Sequence, residues 1–95
     1  MRYPVIDMQA TGARIRELRI ANRLTIDQVR DFMGLESEQA ICKWQSGKAL
    51  PKVDNLYAMA RLFGVRIEDI LVEVPYEYEE DEMSSSFIPE KEMAA

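Results

Sequence analysis

Histidine is absent from this 95-residue chain, and cysteine occurs once, as Cys42. Without imidazole, the commonest general acid–base group near neutral pH is unavailable. A zinc centre of the His/Cys kind is excluded on the same ground. No constellation of nucleophile, base and orienting group takes their place. We therefore expect no catalytic residue, no metal and no cofactor, and the chain does not read as an enzyme. A lone cysteine can form no internal disulfide, which agrees with a reducing compartment and an expected cytoplasmic location. No run of about 18 apolar residues is present, so no transmembrane helix is expected. The N-terminus has Arg2 but no long apolar stretch, and does not read as a secretory signal. Strand-type alternation and fixed-period repeats are missing too.

Net charge is −5, but it is unevenly placed. Residues 11–72 carry ten Lys/Arg and eight Asp/Glu, a net of +2. Residues 73–95 carry eight acids and only Lys91, a net of −7. Residues 1–10 cancel. The whole-chain value describes the C-terminal segment, not the body of the chain. The segmentation is a lead-in over 1–10, a domain over 11–72 and an acidic tail over 73–95. From Pro75 the run Tyr76-Glu77-Tyr78-Glu79-Glu80-Asp81-Glu82, then Ser84-Ser85-Ser86 and Pro89, predicts a mostly disordered tail. Its acids have no EF-hand spacing, so a solvated tail is expected over a cation site.

Five short helices are legible in 11–72. Thr11 is a good N-cap for the first. Ile15 and Leu18 share one of its faces, and Arg16, Arg19 and Arg23 recur at helical spacing on another. That second face reads either as solvated or as facing phosphate. Thr25-Ile26-Asp27-Gln28 is a capping box for the second helix, which offers Val29, Phe32 and Met33 as its buried stripe and stops at Gly34. Ser37 caps the third helix, Ser37 to Ser46, with Ala40, Ile41 and Trp44 inward and Gly47 beyond. After a loop through Pro51, the fourth helix carries Val53, Leu56, Tyr57, Ala60, Leu62 and Phe63, and stops at Gly64. A fifth runs from Ile67 to Val72. Trp44, at helical spacing from Ile41, reads as core rather than as an exposed stacking surface.

Capped helix, glycine stop, short turn and second capped helix together hold one helix proud of a domain surface. That is the requirement for entering a DNA major groove. With Ile41 and Trp44 inward, the outer face of the third helix is Glu38, Gln39, Cys42, Lys43 and Ser46. Gln39 and Lys43 are four apart and project side by side. Glutamine suits adenine, and lysine suits guanine acceptors or phosphate. Glu38 could accept from cytosine N4 or repel phosphate. Lys48 and Lys52, in the following loop, are placed to neutralise phosphates. Cys42 reads as a semi-exposed small residue on that face.

The stretch 11–72 resembles the Cro/CI (XRE-type) phage-repressor-like helix-turn-helix family. The residues that carry the resemblance are Ile15-Arg16-Glu17-Leu18-Arg19, Leu24-Thr25, Gly34, Ile41-Cys42-Lys43-Trp44-Gln45-Ser46-Gly47-Lys48, Leu50-Pro51, and Leu62-Phe63-Gly64-Val65 before Ile70-Leu71. The resemblance implies an all-α, five-helix, lambda-repressor-like DNA-binding domain. It makes Glu38, Gln39 and Lys43 the base-contact candidates. Arg19, Arg23, Thr25, Ser46, Lys48 and Lys52 become the phosphate-contact candidates. It implies double-stranded DNA as partner and a homodimer on two half-sites, which would use the fifth helix, the lead-in or the tail. Four departures stand out. The turn between Gly34 and Trp44 carries one extra residue. Ile26 replaces a glutamine that commonly touches phosphate. Arg30 takes a usually small position at the crossing of the second and third helices, which suggests a wider crossing. Gln45 replaces a glutamate that commonly pairs with an arginine of the first helix; either it accepts a hydrogen bond from Arg19 instead, or Arg19 turns toward DNA.

The expected function is sequence-specific transcriptional regulation, in a bacterial, phage or mobile-element setting, with the helix over 37–46 in the major groove. The alternative is an antitoxin-like or adaptor module that keeps the fold and binds protein, with the acidic tail as a further protein-binding element.

Overall fold

The computed structural model describes residues 3–75. Within them the chain is all-α: α1 (Met8–Ala21), α2 (Ile26–Met33), α3 (Gln39–Ser46), α4 (Val53–Phe63) and α5 (Ile67–Ile70). The expectation of a disordered tail concerns mainly residues 76–95, which lie outside the described residues.

One core unites the five helices: Ile15 of α1, Val29 of α2, Ile41 and Trp44 of α3, Leu56, Met59, Ala60 and Phe63 of α4, and Ile70 of α5. Leu18, Leu24, Ile26, Met33, Leu35 and Leu62 pack around its edge. Three residues expected inside are outside: Phe32 is 54% exposed, Val53 77% and Tyr57 55%. Helix α2 is only eight residues long and buries one narrow stripe centred on Val29. Its neighbours lie on the Met33 side, so Phe32 turns to solvent. On α4 the buried stripe is 56, 59, 60 and 63, a 3–4 spacing. Tyr57 falls about 100° away from Leu56. Met59, which takes the place expected for Tyr57, is fully buried.

Helix α1 starts before Thr11. The Asp7 carboxylate accepts from the Ala10 N–H at 2.9 Å and caps the helix, so residues 8–10 are helical rather than part of a lead-in. Thr11 is instead fully buried in the first turn. Its hydroxyl accepts from the Val72 N–H at 2.9 Å, 61 residues away. The Asp7 N–H donates to the Val72 carbonyl at 2.7 Å, and the Val74 N–H to the Val5 carbonyl at 2.8 Å. Ile6 and Glu73 form an isolated antiparallel bridge. The two ends of the domain are therefore tied together, and residues 73 and 74 belong to that tie rather than to a tail. The fifth helix ends at Ile70, not Val72, because Leu71 and Val72 turn extended to make it.

Replacing Thr11 by valine should cost about 1–3 kcal/mol, because the part-buried Val72 N–H loses its acceptor. Thr11→Ser should restore most of the loss. Thermal unfolding of the two variants checks this; a valine variant as stable as the parent would contradict it.

Short α5 closes on itself. The Asp69 carboxylate accepts the Arg66 N–H at 2.9 Å, and that bond, with the Arg66 guanidinium, holds the Asp69 carboxyl below the ordinary carboxylate range. Arg14 on α1 donates to the Asp69 carbonyl at 2.6 Å and fastens α1 to the end of α5.

Candidate nucleic-acid interface

Helix α3 packs chiefly against α1. Gly12 is what permits the approach. A Cβ there would lie 2.3 Å from the Trp44 carbonyl oxygen and 2.6 Å from that of Gln45. The two backbones touch where any side chain would intervene. At the next contact Gly47, with φ +81, lies against Gln9; a Cβ there would be 2.8 Å from the Gln9 Cα. Glycine is required at Gly47 for both the left-handed backbone and the space. Helix α3 is thus held by backbone contact on one side and by Ile41 and Trp44 below.

A second tether joins the side chains. Arg19 Nε donates to Gln45 Oε1 at 2.9 Å, and Arg19 Nη1 donates to the Leu24 carbonyl at 2.8 Å. The hydrogen bond expected between Arg19 and Gln45 is present. One guanidinium links α1, α3 and the loop that leads into α2, so α3 and the α2 N-terminus are positioned by the same group. Arg19 is half-buried and two of its donors are engaged. The three-arginine face does not survive intact: Arg16 is exposed on α1, whereas Arg23 lies past the helix end in the left-handed region at φ 59.

Thr25 caps α2 as expected. Its hydroxyl accepts the Gln28 N–H at 3.1 Å, and the Gln28 side chain accepts the Thr25 N–H at 2.8 Å. Ile26, the departure at the start of α2, is half-buried against the core. It has exchanged a polar contact for packing.

The start of α3 differs from expectation by two residues. Ser37 Oγ takes the Gln39 N–H at 3.3 Å, a turn within two residues rather than a helix cap. The first helical bond runs from the Cys42 N–H to the Glu38 carbonyl at 3.0 Å. The extra turn residue is absorbed in 35–38, and Gln39 opens the helix. Gln39, Cys42, Lys43 and Ser46 are exposed on one side of it, while Ile41 and Trp44 are buried on the other. Glu38 is half-buried at the helix start. The Ser46 hydroxyl donates to the Lys43 carbonyl at 3.2 Å. Lys48 and Lys52 are exposed in the loop beyond.

Charge on this face is organised. Arg30, half-buried beside α3, pairs with Asp31 at 2.8 Å and lies 3.9 Å from Asp27. It lines an open trough of about 560 Å³ with Glu36, Ser37, Glu38, Gln39, Cys42 and Lys43. The residue expected to widen the α2–α3 crossing thus forms a wall of that trough. Glu38 faces Asp27 across the N-terminal ends of the two helices. Hydrogen bonding and repulsion from Asp27 push the Glu38 carboxyl above its ordinary range, and Arg30 pulls the other way. By contrast Arg23, Lys43, Lys48 and Lys52 have no ion-pair partner among the described residues.

The structure therefore brings Gln39 and Lys43 together, with Glu38 at their edge. It sets Thr25 and Arg23 beside Glu38's other flank, around a second open groove. Gly12 is missed by sequence reasoning, which singled out Arg30 for the crossing but not for the trough it lines. Gly12 carried a signal nonetheless, as a glycine inside a helical pattern, where it costs about 1 kcal/mol unless packing requires it.

Three likenesses bear on this arrangement. Residues 15–70 match the sequence profile of a family described as helix-turn-helix. The chain is 33% identical over 58 residues to the HTH-type transcriptional activator BcrR of Enterococcus faecalis, covering 61% of this chain and 28% of the relative. It spans little more than a quarter of that protein. Among solved structures, the restriction-modification controller protein C.AhdI of Aeromonas hydrophila superposes with a TM-score of 0.61 at 22% identity, over 67% of this chain and 96% of that one. The clp gene regulator ClgR of Corynebacterium glutamicum gives a TM-score of 0.61 at 17% identity, over 66% of each chain. At these identities the two structures speak for the fold. Among the described residues no helix is long and apolar enough to cross a membrane.

Proposed function

The chain belongs to the Cro/CI-type (XRE) helix-turn-helix family, and from that premise we propose that it is a sequence-specific, DNA-binding transcriptional regulator acting in the cytoplasm. Helix α3, Gln39–Ser46, enters the major groove. One observation carries the reading: α3 is anchored on its Ile41–Trp44 face, which leaves Gln39 and Lys43 exposed one helical turn apart, followed by Lys48 and Lys52, which are exposed and have no carboxylate partner among the described residues.

In this reading Gln39 pairs with adenine, and Lys43 with guanine acceptors. Glu38, sharing its site with Asp27, disfavours approach of phosphate at the helix start and accepts from cytosine N4. Arg23, Thr25, Ser46, Lys48 and Lys52 meet the backbone on either flank. Arg19 is assigned to positioning, because its guanidinium holds Gln45 and Leu24. A homodimer would place two copies of α3 about one helical turn, ~34 Å, apart.

Selection of bound sequences from random DNA tests the assignment. Gln39→Ala and Lys43→Ala should each remove preference at particular base positions, at about 1–3 kcal/mol per lost pair. Uniform weakening would move those residues to the phosphate group. Affinity should also fall with rising salt, with a logarithmic slope of about −0.9 for each phosphate contacted. Failure to bind its own promoter region at low salt would favour a protein-binding module on the same fold.

A further inference from the structure

We propose that the acidic run 77–82 is an intrachain occupant of the lysine cluster formed by Lys43, Lys48 and Lys52, where it competes with DNA phosphate. This rests on the functional reading above, and deepens it by naming what holds the same surface when DNA is absent.

Two observations carry it. The first is unpaired charge. Arg14, Arg30 and Arg66 have carboxylate partners within the domain, at 3.8, 2.8 and 3.4 Å. Lys43, Lys48 and Lys52 have none among the described residues, and all three are exposed. Arg16, Arg19, Arg23 and Arg61 also lack a carboxylate partner among the described residues, but only the lysines follow one another along α3 and the loop after it. Three lysines at the end of one helix and its following loop form a patch that suits a row of oxyanions. The chain supplies such a row at Glu77, Glu79, Glu80, Asp81 and Glu82.

The second is where that row leaves the domain. Val72 is fixed to the start of α1 by the Asp7 N–H at 2.7 Å and by the Thr11 hydroxyl at 2.9 Å. Two residues past Asp7, the Gln9 backbone lies against Gly47, whose neighbour is Lys48. The tie and the lysine loop therefore adjoin the same end of α1, and the chain leaves from Val74, paired with Val5 two residues before Asp7. Counted from Val74, the last residue held by the tie, Glu77 is three residues on, a reach of about 10 Å, and Asp81 seven, about 24 Å. The later acids, rather than Glu77, have the length to approach the lysine loop. A short tether gives an effective concentration in the millimolar range. A docking constant about tenfold below that concentration weakens binding of competing phosphate roughly tenfold. Such competition acts on every DNA sequence alike. The same loss is the larger share of non-specific binding, which is weaker and which the phosphate backbone supplies almost entirely.

The test uses the full chain with Glu77→Gln, Glu79→Gln, Glu80→Gln, Asp81→Asn and Glu82→Gln together, which removes the charge and leaves residues 3–75 unchanged. Affinity for a random-sequence duplex is measured from about 50 to 500 mM salt, where the Debye length shrinks from more than 10 Å to a few Å. The expected result is roughly tenfold tighter binding at the low end, with the difference vanishing at the high end. In parallel, backbone amide resonances of Lys43, Lys48 and Lys52 are compared between parent and variant without DNA. They should shift on neutralisation, equally at all protein concentrations. Unchanged resonances would overturn the proposal even if DNA binding is intact. A shift that grows with protein concentration would assign the acidic run to a second copy, and so overturn the intrachain form. Shifted resonances in a chain that binds no DNA would support the docking and overturn the functional reading instead. Shifted resonances with unaltered DNA affinity would overturn the competition.

Discussion

Gly12→Ala should destabilise the domain, although helix propensity alone predicts the opposite. Alanine in place of glycine inside an exposed helix gains about 1 kcal/mol. Here the new Cβ would sit 2.3 Å from the Trp44 carbonyl oxygen, 2.6 Å from the Gln45 oxygen and 2.9 Å from the Gln45 carbonyl carbon. All three are backbone atoms of α3, so no side-chain rotation relieves the overlap. The helices must separate, and the cost of such overpacking is about 1–3 kcal/mol or more. A net loss of about 2 kcal/mol is therefore expected from denaturant unfolding. The separation also moves α3 relative to the Arg19–Gln45 tether, so DNA affinity should fall by more than stability alone explains. An alanine variant as stable as the parent would show that α1 and α3 do not pack as described.

Trp44→Ala is expected to have the largest effect of any single substitution in α3. The indole is 6% exposed and sits with Ile41 in the common core. Truncating a buried tryptophan costs about 3–5 kcal/mol, from lost transfer energy and the cavity left behind. A domain of this size has only about 5–10 kcal/mol in total. Much of the population should be unfolded at 37 °C, with DNA binding lost as a consequence. Trp44→Phe separates core from contact. It keeps most of the buried apolar volume, so fold and base preference should both survive with a lowered melting temperature. A well-folded Trp44→Ala variant with altered base preference would instead place the indole on DNA.

Both predictions turn on how α3 is held, and the two residues differ in how readable they are. Trp44 announces itself, because its spacing from Ile41 gives a buried stripe by helical periodicity alone. Gly12 does not, because the sequence cannot say which other backbone passes within van der Waals distance. The same contrast runs through the site. Thr25 and Gln28 lie within one turn, and their reciprocal capping is local chemistry. Ser37 offers an equally good local cap, yet the longer turn after Gly34 diverts its hydroxyl to Gln39 and moves the helix start to Gln39 itself.

What the sequence determined by itself was the set of short-range choices: five helical segments, glycine stops at Gly34, Gly47 and Gly64, the capping box, and an outward Gln39–Lys43 pair opposite Ile41 and Trp44. These depend on periodicity and on groups within about four residues of one another. The tertiary structure alone decided everything that joins distant segments. It placed Thr11 in the interior to hold Val72 and turned Phe32, Val53 and Tyr57 to solvent. It added the Leu24 carbonyl to the Arg19–Gln45 bond that the sequence suggests, and pressed Gly12 against α3. The physical reason is that a buried polar group must find a partner wherever the fold supplies one, and an apolar side chain is buried only where another element covers it.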